Sequence, residues 1–285
     1  MKPETEKTFK VAIALCLTCS VVVSALAVGL KPIQEKNKDA FRQQSVLDAA
    51  QLWEPGGKPA DLFERYMEPV GLDFEDDKLE DIDDPNAAKF STEQSLQNEA
   101  LHDDIPPMED MAGIKEVEKF TVFYRVNEAA AKKIEGVEAS EDVRVLVLPI
   151  RGKGLWSTLY GYLAIKIGLN KGPEAIEVVG LTFYKHGETP GLGGEVENEL
   201  WKDKWPGKKV FNADWEVKLA VSKGTNIPEE YRVDALSGAT LTSNGVTNML
   251  RFWLGPRGFG PYLKSIAGTG SAADEQIEAV PTVQL

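Results

Sequence analysis

Val143-Arg144-Val145-Leu146-Val147-Leu148-Pro149-Ile150 decides how this chain folds. Branched apolar residues fill it, and a run of that composition reads as a strand. Phe120-Thr121-Val122-Phe123-Tyr124-Arg125-Val126 reads the same way, with aromatic and β-branched residues suited to a pleated surface. Further strand candidates are Tyr160 to Ile165, Ile176 to Tyr184 and Trp215 to Val221, each set off by turn residues. The best helical pattern comes late. Val246, Met249, Leu250 and Trp253 recur at i, i+3, i+4 and i+7, one face of a helix. Runs of strands with a few helices predict an α+β domain, not regular βαβ alternation. Its expected limits are residues 119–266, with a flexible tail over 267–285.

Outward from that domain the chain changes character. Its 285 residues suffice for one substantial core with appendages. A net charge of -13 argues against nucleic acid or broad contact with anionic lipid as a partner, because both would be repelled. Residues 31–118 read as a helical connector followed by an acidic, partly disordered insertion. Leu47, Ala50 and Trp53 offer a packing face before Pro55-Gly56-Gly57 ends the helix. Asp76-Asp77, Asp83-Asp84 and Asp103-Asp104 make the following stretch acidic, without the spacing or loop glycine of an EF-hand.

From Val11 to Leu30 the sequence VAIALCLTCSVVVSALAVGL carries no charge, and at helical rise it spans a bilayer's hydrocarbon core. A retained transmembrane helix is favoured over a cleaved signal peptide, whose apolar region would be shorter. Residues 1–10 form the preceding tail. Lys2, Lys7 and Lys10 precede the span and Lys31, Lys36, Lys38 and Arg42 follow it, so local charge does not decide orientation. Cys16 and Cys19 lie inside the span and are the only cysteines. They read as small hydrophobes, with half an iron site completed by another subunit as the alternative. Disulfides and thiol catalysis are thereby excluded from the rest of the chain.

Three segments carry candidate chemistry. Asp234-Ala235-Leu236-Ser237-Gly238-Ala239-Thr240-Leu241-Thr242-Ser243 is a small-residue turn opening the late helix. Thr242 or Ser243 is expected to cap the helix, with free amides facing whatever sits on Thr240. A plain cap and turn would explain the same letters. Arg151-Gly152-Lys153-Gly154-Leu155-Trp156-Ser157 reads either as a ligand-facing loop or as a glycine-rich strand connection. His186-Gly187-Glu188-Thr189-Pro190-Gly191-Leu192-Gly193-Gly194-Glu195 permits close backbone approach to a ring or phosphate, but lacks the P-loop lysine and dinucleotide spacing. Glu188 and Glu195 are expected to be solvated. His186 has no second histidine nearby and His102 lies in the acidic stretch, so no metal site is expected.

The run Asp-x-x-Ser-Gly-Ala-Thr resembles the flavinylation motif in which a threonine hydroxyl carries FMN through a phosphoester bond. Together with GKGLWSTLYGYLAI, HGETPGLGGEVEN and SGATLTSNGV, it makes the chain similar to the C subunits of the sodium-translocating NADH:quinone reductases. The resemblance covers the anchor and the second half of the chain, not the acidic insertion. It implies a single transmembrane helix followed by an extracytoplasmic FMN-binding domain with a mainly antiparallel sheet and flanking helices. It also implies covalent FMN on Thr240, attached by a flavin transferase, with Asp234, Ser237, Gly238 and Ala239 completing the motif. Trp156, Ser157, Thr189, Gly191, Leu192, Leu241 and Thr242 would surround the flavin. No catalytic side chain is implied, since the flavin does the redox chemistry.

The implied setting is the bacterial inner membrane, with a cytoplasmic N-terminal tail and the C-terminal domain periplasmic. The A, B, D, E and F subunits would be partners in moving electrons from NADH toward ubiquinone, coupled to sodium export. The G subunit of the Rnf-type ferredoxin/NAD complexes shares the motif and is the alternative; Leu241 and the LWSTLYGYLAI wording favour the quinone reductases. A non-redox, membrane-tethered assembly protein using the acidic segment as its contact surface is the reading that predicts no flavin.

Overall fold

The computed structural model describes residues 3–75, 78–80, 92–138 and 140–268. Two compact units divide the chain, Met1–Arg42 and Gln43–Leu285. The first consists of most of α1 (Pro3–Ala49), which holds Val11 to Leu30 in one uninterrupted helix. Val11, Leu15, Val21 and Val28 are exposed on it. The helix is long and apolar enough to cross a membrane, and such a surface is suited to lipid rather than water. The sequence predicts a helical connector after the span, closed by Pro55-Gly56-Gly57; α1 runs on to Ala49, and Gln51 follows it with φ 59°. Val46, Leu47, Ala49 and Ala50 are buried at its end.

In chain order the second unit continues with α2 (Pro59–Tyr66), β1 (Met67–Asp73), β2 (Lys78–Glu80), α3 (Thr92–Ser95), β3 (His102–Asp104), β4 (Glu116–Glu118), β5 (Phe120–Val126) and α4 (Glu128–Ala131). There follow β6 (Val143–Lys153), β7 (Thr158–Gly168), β8 (Ile176–Lys185), α5 (Glu199–Lys202), β9 (Ala220–Ser222), β10 (Arg232–Asp234), α6 (Thr240–Trp253) and α7 (Gly260–Ala267). Six strands form one antiparallel sheet in the order β2-β1-β5-β6-β7-β8. The α+β expectation with a mainly antiparallel sheet is what the chain adopts.

The apolar run in β6 has a simple cause. Leu146, Leu148 and Ile150 enter a core shared with Met249, Leu250 and Trp253 of α6 and Leu263 of α7. Val145 and Val147 enter a second core with Leu47, Leu62 and Ala130, under the end of α1, α2 and α4. Both faces of the strand are covered, so neither alternate set is polar. Fully burying each such side chain contributes about 1.5–3 kcal/mol.

Two strand boundaries differ from expectation. The compact domain does not begin near Lys119, because β1 pairs along its whole length with β5, from Met67↔Val126 to Asp73↔Phe120. The stretch Trp215 to Val221 is not a strand: Trp215 has φ 62°, Phe211 and Val217 make an isolated bridge, and only β9 pairs, in parallel with β10. Asp76-Asp77, Asp83-Asp84 and the tail from residue 269 lie outside the described residues. The described remainder of the acidic stretch includes the β3–β4 pair. It is fastened to the sheet by a buried ion pair between Glu118 and Arg151 of β6, whose guanidinium also donates to the Glu116 carbonyl.

Candidate functional site

The β6–β7 hairpin pairs Lys153 with Thr158, leaving Gly154 to Ser157 as its turn. α6 packs across the end of β6: the Trp253 indole donates to the Arg151 carbonyl at 2.7 Å, and Gly152 lies against Met249. This packing brings the hairpin turn to the first turn of α6.

That helix begins earlier than its sequence suggests. Ala239 is the N-cap and provides no side-chain cap; Thr240 is the first helical residue. Thr242 and Ser243 do not cap, because both are buried and engaged elsewhere. The Ser243 hydroxyl donates to the Ala239 carbonyl and accepts from the Leu236 amide, each at 3.0 Å. Among the described residues, no chain carbonyl accepts from the amides of Thr240, Leu241 or Thr242. Gly238 precedes them with φ 72°, a left-handed conformation natural to glycine. An exposed threonine thus stands at a helix start whose first three amides have no acceptor among the described residues, a seat suited to a phosphate.

Glu188 joins the three segments. Expected in solvent, it is only 6% exposed. Its carboxylate accepts from the amides of Leu155 (3.2 Å), Trp156 (2.9 Å) and Ser157 (3.3 Å) and from the Thr242 hydroxyl (2.7 Å). Burial pushes its pKa up, but the Thr242 hydroxyl and the three amides outweigh burial and hold it below the ordinary carboxylate range. Gly154 and Gly193 make room for it. A Cβ on either would meet a Glu188 carboxylate oxygen at 2.6 Å. Gly193, in the segment expected to allow close ligand approach, and Gly154 of the hairpin turn thus accommodate the protein's own carboxylate. Ser157 adds a further tie, its hydroxyl accepting from the Gly187 amide at 2.6 Å.

The motif residues occupy different positions around this junction. Trp156, Thr189, Gly191, Leu192, Ser237, Gly238, Thr240 and Leu241 are exposed; Ala239 and Thr242 are buried and Ser157 is half-buried. Leu192 covers the Gly238 turn, its Cδ2 lying 2.9 Å from where a Cβ on Gly238 would stand. The Asp234 carboxylate pairs with Lys204 at 2.9 Å, and the hydrogen bond and charge of that lysine lower its pKa. Its backbone carbonyl accepts from the Trp201 indole. His186 accepts at Nδ1 from the Glu188 amide (3.2 Å), while Nε2 lies 2.8 Å from Glu197. Cys16 and Cys19 are exposed on α1. His102, Asp104 and Glu116, on β3 and β4, lie close enough together to share a cation, a grouping not anticipated from their sequence positions.

An open cavity of about 400 Å³ adjoins the helix start, lined in part by Met111, Lys153, Leu155, Leu241, Asn244 and Asn248. Asn244 and Asn248 follow Thr240 at intervals of four, so helical spacing alone could have placed them on its face. Met111 carried no such signal. Hydroxyl, unpaired amides and adjoining exposed apolar side chains fit a phosphate-linked planar cofactor.

Known proteins resemble this chain in sequence and fold. The family model described as an FMN-binding domain matches residues 154–255, from the hairpin turn to the end of α6. The C subunit of the Na(+)-translocating NADH-quinone reductase of Pseudomonas aeruginosa is 40% identical over 269 residues, covering 92% of this chain and 96% of that one. Its counterpart from Vibrio alginolyticus is 37% identical over 263 residues, covering 92% and 94%. The crystal structure of Shewanella oneidensis NqrC aligns with a TM-score of 0.65 and 29% identity, over 81% of this chain and 97% of that one. Identity at this level along nearly the full length of both chains means that the chain belongs to the family of Na(+)-translocating NADH-quinone reductase C subunits.

Proposed function

We propose that this chain is the FMN-carrying electron-transfer subunit of a sodium-translocating NADH:quinone reductase, with FMN joined through its phosphate to the Thr240 hydroxyl. The observation carrying the attachment point is the exposed Thr240 at a helix start where three successive amides have no acceptor among the described residues. Threonine is a poor nucleophile, so bond formation requires a flavin transferase. In that step Thr240 Oγ bonds to the FMN-side phosphorus of FAD, a pyrophosphate P–O bond breaks and AMP leaves; the hydroxyl proton passes to the transferase.

The residues of the chain then hold and orient the cofactor. The amides of Thr240, Leu241 and Thr242 face the phosphate, Gly238 lets the backbone turn beneath it, and Ser237 and Ala239 keep that turn small. Trp156, Leu192 and Leu241 are the exposed apolar groups beside the ring, with Ser157, Thr189 and Gly191 in the loops that carry them. Thr242 acts from beneath through Glu188, and Asp234 forms part of the surface that the transferase reads. Bound flavin supplies electron transfer, and the protein supplies position and surroundings.

The partners are the A, B, D, E and F subunits of that complex, in the route from NADH to ubiquinone coupled to sodium export. α1 anchors the chain in the inner membrane as a single pass, with residues 1–10 cytoplasmic and the FMN-binding domain periplasmic. The ferredoxin-linked reading of the motif is not favoured by quinone-reductase relatives that match almost end to end, nor is a non-redox assembly role by the FMN-binding family match. The test is intact-mass measurement on the full chain made with its flavin transferase. Wild type should gain one FMN phosphoryl group and Thr240→Ala should gain none. An unmodified wild type, or a Thr240→Ala protein still carrying FMN, overturns the assignment.

A further inference from the structure

The FMN-binding reading leaves unexplained why a buried carboxylate stands beneath a site meant for an anion. Glu188 takes the Leu155, Trp156 and Ser157 amides for itself, and it receives the hydroxyl of Thr242, two residues beyond Thr240 in the same helical turn. Three backbone N–H groups converging on one point would otherwise be an anion seat in their own right. With Glu188 in place they are withdrawn from an incoming phosphate, and the amides of Thr240, Leu241 and Thr242 remain as the seat. The same carboxylate joins the turn that carries Trp156 to the turn that carries Thr240. It also places negative charge at the positive end of the α6 dipole.

Resting on that flavin reading, we propose that Glu188 is a positioning residue for flavin attachment. It directs the phosphate to Thr240 by filling the competing amide cluster and by holding the Gly154–Ser157 turn against the first turn of α6. Gly154 and Gly193 serve this role, since a side chain on either would strike the carboxylate. Glu188 acts through these neighbours and makes no contact with the reacting atoms.

The test compares initial rates of FMN transfer from FAD to the full-length chain, followed by intact mass, for wild type, Glu188→Gln, Glu188→Ala and Thr242→Val. Measurements are made where circular dichroism shows each protein fully folded. Glu188→Ala should be slowed by roughly tenfold or more, since small misplacements of reacting groups carry large rate penalties. Glu188→Gln should fall between it and wild type, because an amide retains one acceptor oxygen. Thr242→Val should be slowed with the hairpin contacts intact, which keeps the test available if a Glu188 variant does not fold. Rates equal to wild type in the folded variants would overturn the role of Glu188 alone, and a purely stabilising role predicts that equality. Absence of FMN from wild type would instead overturn the flavin reading on which this one rests.

Discussion

Gly245 on α6 stands against the carbonyl oxygen of Lys153 at the end of β6, so close that a Cβ on the glycine would collide with it. Helix and strand touch there through backbone, and that contact brings the first turn of α6 to the β6–β7 turn.

Gly245→Ala should therefore destabilise the domain. In an unconstrained helix the change would stabilise by up to about 1 kcal/mol. Here the obstructing atom belongs to a strand backbone that cannot swing aside, and overpacking costs about 1–3 kcal/mol. A lower thermal midpoint is expected; an unchanged or raised one would show that α6 can move off β6 freely.

Arg151 and Glu118 are the second test, with side chains 5% and 2% exposed. Arg151→Met alone should cost about 3–5 kcal/mol by leaving Glu118 buried without its cation. The double replacement Arg151→Met with Glu118→Leu should recover most of the loss, because both desolvation penalties vanish together. Denaturant unfolding of the four proteins in a double-mutant cycle measures the coupling. Additive losses would argue that the pair is not what ties the β3–β4 hairpin to the sheet.

Glu188 predicts a sign for the pH dependence. Despite the upward push of burial, its hydrogen bonds hold the folded-state pKa below the ordinary value. The stabilisation from its charged form is therefore complete above the unfolded pKa and lost as pH falls through the folded one. The stability advantage of wild type over Glu188→Gln should shrink between about pH 7 and about pH 3. An advantage that grew on acidification would mean that burial, rather than hydrogen bonding, dominates at this carboxyl.

Trp156 is 67% exposed, so Trp156→Ala should leave stability within about 0.5 kcal/mol of wild type. On protein carrying FMN, the same change should raise flavin emission, because an indole beside the ring quenches it. Unaltered emission would remove Trp156 from the flavin's surroundings.

Much of this arrangement is legible in the letters. β5 begins and ends where its aromatic and branched run does, and β6 and β8 start at the predicted residues because apolar density and turn chemistry are local signals. The apolar face of α6 is equally plain, yet the helix starts two residues before the expected cap, since Thr242 and Ser243 look like caps until their hydroxyls are claimed elsewhere. Trp215 to Val221 has the composition of a strand, but it folds back irregularly on Val210 to Asn212, and only Ala220 and Val221 enter a regular ladder.

By itself the amino-acid order determined the long apolar helix, the strand-rich α+β domain and the short motif ending at Thr240, all features written within a few residues of one another. Tertiary structure decided that Met67–Asp73 joins the sheet beside β5, that Arg151 neutralises Glu118, and that Glu188 leaves solvent to receive Thr242 from 54 positions away. Periodicity and composition report which side chains want burial. The partner that makes a buried charge tolerable must lie within hydrogen-bond reach, about 3 Å, and only the folded path of the chain determines which groups those are.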